Sequence, residues 1–573
     1  MNQMTHNLKQ DRPILLGYFL FFFILFIPFP LTNTLPGNCD TWLAIALSNR
    51  YLENIFSFLR DENQFSSLYP TLNIHSFGES SPGLGLLFII GKLIFQHDLW
   101  SYFFFILVQF FLTSYALYKL TSLFVKNRIA CFFAGLSFCT TNFTFANIDD
   151  TLIIFYFFPL LSLYFFHTCV LFKKKSHILY SFFCFGLIPY FSFYLFFFQS
   201  IILFLHLFIY WKHLKFMKKD FLIGSLFVSS FISLPIILFY VINFLDAPFV
   251  NPYNIKKVIE SSSLHLEDFT KSLPQNFFFS KNGLSELSTP YWSELRRHAF
   301  IGLTLPLMAL LGFFKINNKT LKKVFLCLGF LGLIFSLGPH IIFKDVKFYS
   351  PIKFFYDTVP LLSFLRIPLR AFFLTLLSLS FFSAFGLEYL LKKMNHFKRG
   401  YLLAIIIFGL FLIENIPLTL KKYPTFSLEK IPSYYQDILR KYRPFAVLNL
   451  PSYIRFDFLD SKKDFYSFNR EILYMNWQTK FPHHIPNGVN GYVPKSRMEL
   501  QHIIMELPSE NSLRSLSRKG IHYLLLHKDL FLNQLEQSFF NFTPSKSLEL
   551  IEESSKHKLF RIHFNNRETI KDR

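Results

Sequence analysis

Long apolar blocks punctuate the first 420 positions of the chain, at about 13–31, 101–120, 129–146, 151–172, 178–190, 191–211, 221–245, 299–314, 324–338, 369–391 and 400–418. A bilayer core takes roughly 20 apolar residues per helix, so the pattern predicts eleven membrane-spanning helices. The stretch 178–211 is divided near Pro189 into two short spans. The first block is too long for a secretory signal and lacks a small-residue cleavage site, which predicts an anchor.

Short polar connections orient the spans. Val125-Lys126-Asn127-Arg128, Lys173-Lys174-Lys175, Lys212 through Lys219, Lys315 through Lys323 and Lys392 through Arg399 fall on alternate connections, whereas Asn147-Ile148-Asp149-Asp150 and the turn near Phe191 carry no Lys or Arg. With Lys9 and Arg12 inside, every basic connection is inside and the C-terminal part is outside. The block 83–96 contains Lys92, and counting it as a span would reverse that order. It is therefore expected to lie along the outer interface, with segment 51–62 as a second such helix, inside a first outer loop at 32–100.

Beyond about residue 419, charges interleave with apolar runs of four to six residues. Phe445–Leu450, His522–Leu526 and Leu559–Phe564 read as strands. Leu513, Leu516 and Ile521 suggest a helix ending at Gly520. The expected organisation is a polytopic α-helical membrane domain at 1–420 and a small α/β extracytoplasmic domain at 421–573.

Composition supports the membrane assignment. Of 573 residues 52% are apolar and 16% charged, and Phe occupies 82 positions; soluble proteins carry about 25% charge. The net charge of +22 follows the basic loops. From residue 422 onward 23 Lys and Arg face 16 Asp and Glu, a balance suited to an anionic membrane surface and not to nucleic acid. Six scattered cysteines form neither a disulfide framework nor a CxxC metal site.

Ionisable residues within the spans sit towards the ends, unlike the mid-bilayer groups of ion-coupled transporters. The chemistry instead gathers at outer connections. Asp40 closely follows the first span, and Asp149 and Asp150 occupy a short outer turn. The plain alternatives are a solvated loop residue for Asp40 and a helix N-cap for Asp150. Arg366 and Arg370 are four residues apart, with Pro368 opening the following helix, and can grip phosphate; their plain alternative is anchoring to lipid headgroups. Arg296 and Arg297, beside His298, form a second-rank pair. His75 and Glu79 lie in the first outer loop. His483-His484 lack a third ligand at useful spacing and read as a loop, expected to fold back over the cavity.

An acidic residue after the first span, a long outer loop with two juxtamembrane helices, and an acidic second outer turn together resemble the GT-C superfamily of membrane glycosyltransferases. Tyr69-Pro70, Ser80-Ser81-Pro82, His298-Ala299-Phe300-Ile301-Gly302-Leu303, Leu365-Arg366-Ile367-Pro368-Leu369-Arg370, Val447-Leu448-Asn449-Leu450-Pro451 and Asn487-Gly488 are similar to the bacterial YfhO-like branch and its relatives. That branch often has Gly-His where this chain has Asp149-Asp150.

The resemblance implies transfer of a sugar from a polyprenyl-phosphate donor to an extracytoplasmic glycan or lipid acceptor, in a bacterial inner membrane and among membrane lipids. Asp40 would be the general base. Asp149 and Asp150 would orient the acceptor or hold Mg or Mn. Arg366, Arg370, Arg296 and Arg297 would meet the donor phosphate, and His75 and Glu79 the acceptor. Rival readings are a non-enzymatic scaffold or glycan-binding protein of envelope assembly, and a flippase.

Overall fold

The computed structural model describes residues 2–32, 34–35, 41, 43–50, 82–216, 219–246, 249–250, 255–273, 296–344, 346–358, 365–394, 397–417, 431–443, 446–452, 462–481, 483–488, 493–531 and 534–564. The chain divides into two compact units, 1–37 with 81–237 and 255–423, and 38–80 with 238–254 and 424–573. Two stretches that the apolar pattern leaves with the first domain, 38–80 and 238–254, thus group with the second. One tie is the antiparallel pairing of Phe249–Val250 with Val493–Pro494.

Each of the eleven apolar blocks contains helix: Asn2–Phe26, Asp98–Ser122, Arg128–Cys139 with Asn142–Ala146, Phe157–Phe172, Lys175–Leu187, Phe193–Tyr210, Lys219–Asp246, Thr304–Lys315, Lys319–Ser336, Phe372–Lys393 and Phe397–Asn415. Among the described residues seven helices are long and apolar enough to cross a membrane, among them Asp98–Ser122, Arg128–Ala146 and Pro368–Lys393. Phe204, Phe227 and Phe231 lie exposed on such helices, which suits lipid and not water. The run 178–211 does break beside Pro189, where the Ser192 hydroxyl accepts from the Leu195 amide at 3.2 Å and starts a new helix.

Two antiparallel helices define the ends of the bundle. At one end the Glu388 carboxylate accepts from the Lys126 and Asn127 amides, at 2.8 and 3.1 Å, and Asn127 caps the helix that leads to the Asp149-Asp150 turn. At the other end that turn meets Arg370, at the opposite end of the helix bearing Glu388. The basic connection and the acidic turn therefore lie at opposite ends of the bundle. A 26-residue helix, Pro368–Lys393, is about 39 Å long, which exceeds a bilayer core of about 30 Å.

Close helix contacts hold this frame. A Cβ on Gly312 would lie 1.8 Å from the Phe382 carbonyl oxygen, and one on Gly386 would lie 2.0 Å from that of Met308. The helices Thr304–Lys315 and Phe372–Lys393 thus meet backbone to backbone. Gly302 has φ +75° at the start of the first of these, where Glu414 Oε2 accepts from the Leu303 and Thr304 amides at 3.0 and 2.9 Å. Glu414 is thereby a helix cap supplied by another helix.

The block 83–96 forms the helix Pro82–Phe95. Gly83 lies against Phe191, in the turn between two later helices, while Gly91 lies against Ser101 at the start of Asp98–Ser122. Phe191 also packs at a tilt against the rings of Phe155 and Phe158, just past the acidic turn. The helix thus runs across the end of the bundle that carries that turn. The proposed second helix at 51–62 lies outside the described residues.

The second unit holds a four-stranded sheet in the order Val447–Leu450, Tyr523–His527, His557–Ile562, Leu548–Glu553; the first pair is parallel and the other two antiparallel. The helix Glu510–Arg518 is followed by Gly520 at φ +78°. Glu471 is buried and accepts from Ser452 Oγ at 2.7 Å and the Gly488 amide at 2.8 Å, with Arg497 Nη2 3.6 Å away. Asn487 holds the Asn449 backbone at both its amide and its carbonyl. His483 and His484 lie in a connection after the helix Lys462–Lys480, as the sequence suggests. His484 bridges to Ala446 beside the sheet, and His483 Nε2 lies 2.9 Å from the Tyr435 hydroxyl in the unit's own core.

Candidate active site

The connection that carries the acidic pair is built locally. The Thr141 hydroxyl caps the helix Asn142–Ala146 by accepting from the Thr144 amide at 3.2 Å. That helix is only five residues long, and the Asp150 amide then returns to the Asn147 carbonyl at 2.9 Å. Asn147 donates to the carbonyls of Phe143 and Arg296, at 2.9 and 3.2 Å, and so ties the turn to the segment entering Thr304–Lys315. Asp150 stands at the N-cap of Thr151–Ile154, yet its side chain makes no capping bond there.

The Asp150 carboxylate is used elsewhere. Arg370 Nε donates to Oδ2 at 2.8 Å and Nη2 to Oδ1 at 3.0 Å, a bidentate pair. Arg296 Nη1 reaches Asp150 Oδ2 at 3.2 Å, and its Nη2 reaches Asp149 Oδ2 at 2.8 Å. The Arg370 guanidinium lies 4.1 Å from the centre of the Tyr194 ring, in cation–π range. Arg296 is 1% exposed, Asp149 3%, Asp150 4% and Arg370 6%. Among the described residues, two carboxylates and two guanidiniums thus form a buried quartet whose formal charges cancel.

Backbone geometry sets the two arginines. Arg370 sits in the 3-10 turn Pro368–Ala371, with Pro368 in its first position and the Leu369 amide bonded to the Ser262 carbonyl at 3.1 Å. Arg366 is half-buried in the stretch before that turn. Arg296 and Arg297 diverge: Arg297 Nη1 lies 2.8 Å from His265 Nε2, and its Nε is 3.7 Å from Asp268. Asp268 also caps the His265 amide and takes Lys271 at 2.9 Å. Burial lowers the His298 imidazole to about 4, so at neutral pH it adds no positive charge beside the arginines.

Among the expected site residues, the structure brings Asp149, Asp150, Arg296 and Arg370 together and directs Arg297 into the 265–271 turn. Asp40, His75 and Glu79 lie outside the described residues. Tyr194 and Asn147 join the site without having been singled out by sequence; Asn147 preceded the acidic pair in the same turn, and Tyr194 gave no local signal. No group of three or more His, Cys, Asp or Glu side chains is placed to hold a metal among the described residues. Both carboxylates are already matched by guanidiniums, so this arrangement does not fit a Mg or Mn ion.

No family model and no curated protein matches the chain, and the YfhO-like likeness rests on sequence motifs alone. Solved structures do resemble it. The oligosaccharyltransferase of Archaeoglobus fulgidus aligns over 90% of this chain and 69% of its own, at 12% identity and a TM-score of 0.49. ArnT from Cupriavidus metallidurans, bound to undecaprenyl phosphate, aligns over 94% and 97%, at 11% identity and a TM-score of 0.39. The arabinofuranosyltransferase AftD from Mycobacteria aligns over 92% of this chain at 11% identity and a TM-score of 0.51. The chain has the GT-C fold. It spans 41% of AftD's length. In this GT-C scaffold the charged quartet occupies the end of the bundle away from the basic connection at 125–128, the end that the basic-loop pattern assigns to the outside.

Proposed function

We propose that the chain is a membrane glycosyltransferase that moves a sugar from a polyprenyl-phosphate donor to an extracytoplasmic glycan or lipid. The observation that carries this reading is the buried Asp149, Asp150, Arg296 and Arg370 quartet at one end of a GT-C bundle. In the reaction an acceptor hydroxyl oxygen bonds to the anomeric carbon while the bond from that carbon to the donor phosphate oxygen breaks. The phosphate leaves with the electron pair, and the hydroxyl proton passes to a carboxylate. Asp40 is our candidate for that base, on its position just after the first span; attack opposite the leaving group inverts the anomeric centre.

The leaving phosphate gains negative charge as the bond breaks, so fixed cations favour the transition state over the bound donor. Arg370 and Arg296 suit this role because a guanidinium offers a fork of donors. In our reading Asp149 and Asp150 hold both forks in place, and the donor phosphate replaces part of the Asp150 contact. Arg366 is a further candidate for the phosphate, and His75 and Glu79 for the acceptor. No step is routed through a metal. The reading places the N-terminus inside and the second unit outside a bacterial cytoplasmic membrane.

A second reading, a non-enzymatic envelope scaffold, is favoured by the charge balance of the quartet, which a purely structural cluster would also show. The test is reconstitution of the full chain in lipid vesicles with a radiolabelled polyprenyl-phosphate sugar and an envelope extract as acceptor. Release of free polyprenyl phosphate with label entering the extract is expected from the wild type and not from a folded Asp40→Asn variant. Unchanged turnover in that variant removes Asp40 as base. Binding of envelope glycan with no donor consumed favours the scaffold.

A further inference from the structure

Between the helix Lys319–Ser336 and the turn Pro368–Ala371, the chain forms an antiparallel hairpin, His340–Phe343 with Val346–Tyr349, followed by the short helix Lys353–Thr358. One side of it is anchored. Ile342 is buried, His340 Nδ1 is 3.3 Å from Glu260, and Lys347 Nζ is 2.9 Å from the same carboxylate. At the base the Leu264 amide donates to the Ser336 carbonyl at 2.8 Å and the Ser350 amide to that of Pro339 at 3.1 Å.

The remainder is open. Phe343, Val346, Phe348, Tyr349, Phe354 and Phe355 are all exposed, Tyr349 by 79%. Every position of Val346–Tyr349 is exposed, so apolar side chains leave both faces of that strand. A two-stranded hairpin on its own is marginal in water, and a contiguous apolar patch of this kind marks a contact with a partner or a membrane. Composition selects between these. Lys344 and Lys353 lie 5.7 and 5.2 Å from the rings of Phe343 and Tyr349, Lys353 also pairing with Asp357 at 2.6 Å, and aromatic rings flanked by lysines are the composition of the boundary between headgroups and acyl chains.

Position along the chain agrees. Gly338 lies against Pro368, the first residue of a helix long and apolar enough to cross the membrane. His340 is two residues further on, hence within about 7 Å of that contact by chain length. The segment 262–268, which holds the hairpin base and the Leu369 amide, also takes Arg297, so the hairpin sits at the quartet's end of the bundle.

We propose that residues 340–358 form a membrane-interface anchor that inserts Phe343, Phe348, Tyr349 and Phe354 into the phospholipid leaflet on the side of the quartet. This stands apart from the enzymatic reading and needs only that the bundle spans a bilayer.

The test places a reporter in the full chain. Phe348→Trp is reconstituted into nanodiscs of phospholipid with or without brominated acyl chains, and the wild-type emission from its five native tryptophans is subtracted. Phe227→Trp, on an exposed position of an apolar helix, is the positive control. The anchor predicts a blue-shifted difference spectrum, quenched by brominated lipid as strongly as the control and little affected by acrylamide. Red emission quenched by acrylamide alone means water and overturns it. Blue emission insensitive to both quenchers means a protein cover, and overturns it too. Tyr349→Trp gives the same reading if Phe348→Trp does not fold.

Discussion

Each of the two units buries arginine with carboxylate, but in different company. In the first, Asp150 receives two guanidiniums, one of them bidentate, and Asp149 shares one of the two. In the second, Glu471 is held by the Ser452 hydroxyl and the Gly488 amide, while Arg497 stands off at 3.6 Å. A carboxylate fixed by a backbone amide and a neighbouring hydroxyl is part of the folded chain and has little freedom to trade partners. One held by forked side-chain cations has partners that can also offer donors to another anion. Burial and pairing are thus common to both clusters; the kind of partner distinguishes them.

The strongest way to break this contrast is to neutralise one pair at a time. Asp150→Asn combined with Arg370→Gln removes the ion pair without stranding a buried charge. Turnover of the polyprenyl-phosphate donor is expected to fall by about 10²-fold or more while thermal unfolding stays close to wild type. Full turnover in the double variant would make the quartet a structural staple like the second cluster. Next in size, Glu471→Ala leaves Arg497 buried without its carboxylate and frees the Gly488 amide. It is expected to cost about 3–5 kcal/mol in denaturant unfolding of the second unit. A loss below about 1 kcal/mol would show that Glu471 is not the pin described here.

The smallest effect sharpens the difference through pH. Burial, with His557 and Arg470 nearby, lowers His527 to about 3, and burial lowers His483 to about 4. Tyr434 and Asn449 flank the His527 ring at 2.8 and 3.0 Å. The unfolded chain binds these protons near pH 6.5 and the folded chain does not. Stability is therefore complete above about pH 6.5 and declines as pH falls towards the folded values. The unfolding midpoint of the second unit, followed by circular dichroism, should drop between pH 7.5 and 4.5, and less so in His527→Gln. An unchanged slope in that variant would assign the effect to other groups.

Much of this architecture is visible in the sequence because lipid imposes long apolar blocks, and the tail strands stand out by their short apolar runs. The strand Leu548–Glu553 does not, since it is an edge strand with Glu549, Glu552 and Glu553 along it. Nor does the hairpin at 340–349, which follows directly on the apolar block 324–338. At the site, Asp149, Asp150 and Arg370 are conspicuous as charges at the ends of apolar blocks. Their pairing is not, because Arg296 and Arg370 lie 146 and 220 residues from Asp150. The adjacent Arg296 and Arg297 look alike in sequence, and only the fold sends one into the quartet and the other towards Asp268.

The crossing of Gly312 and Gly386 acts as a fulcrum. Arg370 sits 16 residues from Gly386, about 24 Å along the same rod, so a methyl group wedged into the pivot would tilt the far tip and swing the guanidinium away from Asp150. The distance of Arg370 from Asp150 is thus metered by two glycine hydrogens, one on each of the crossing helices.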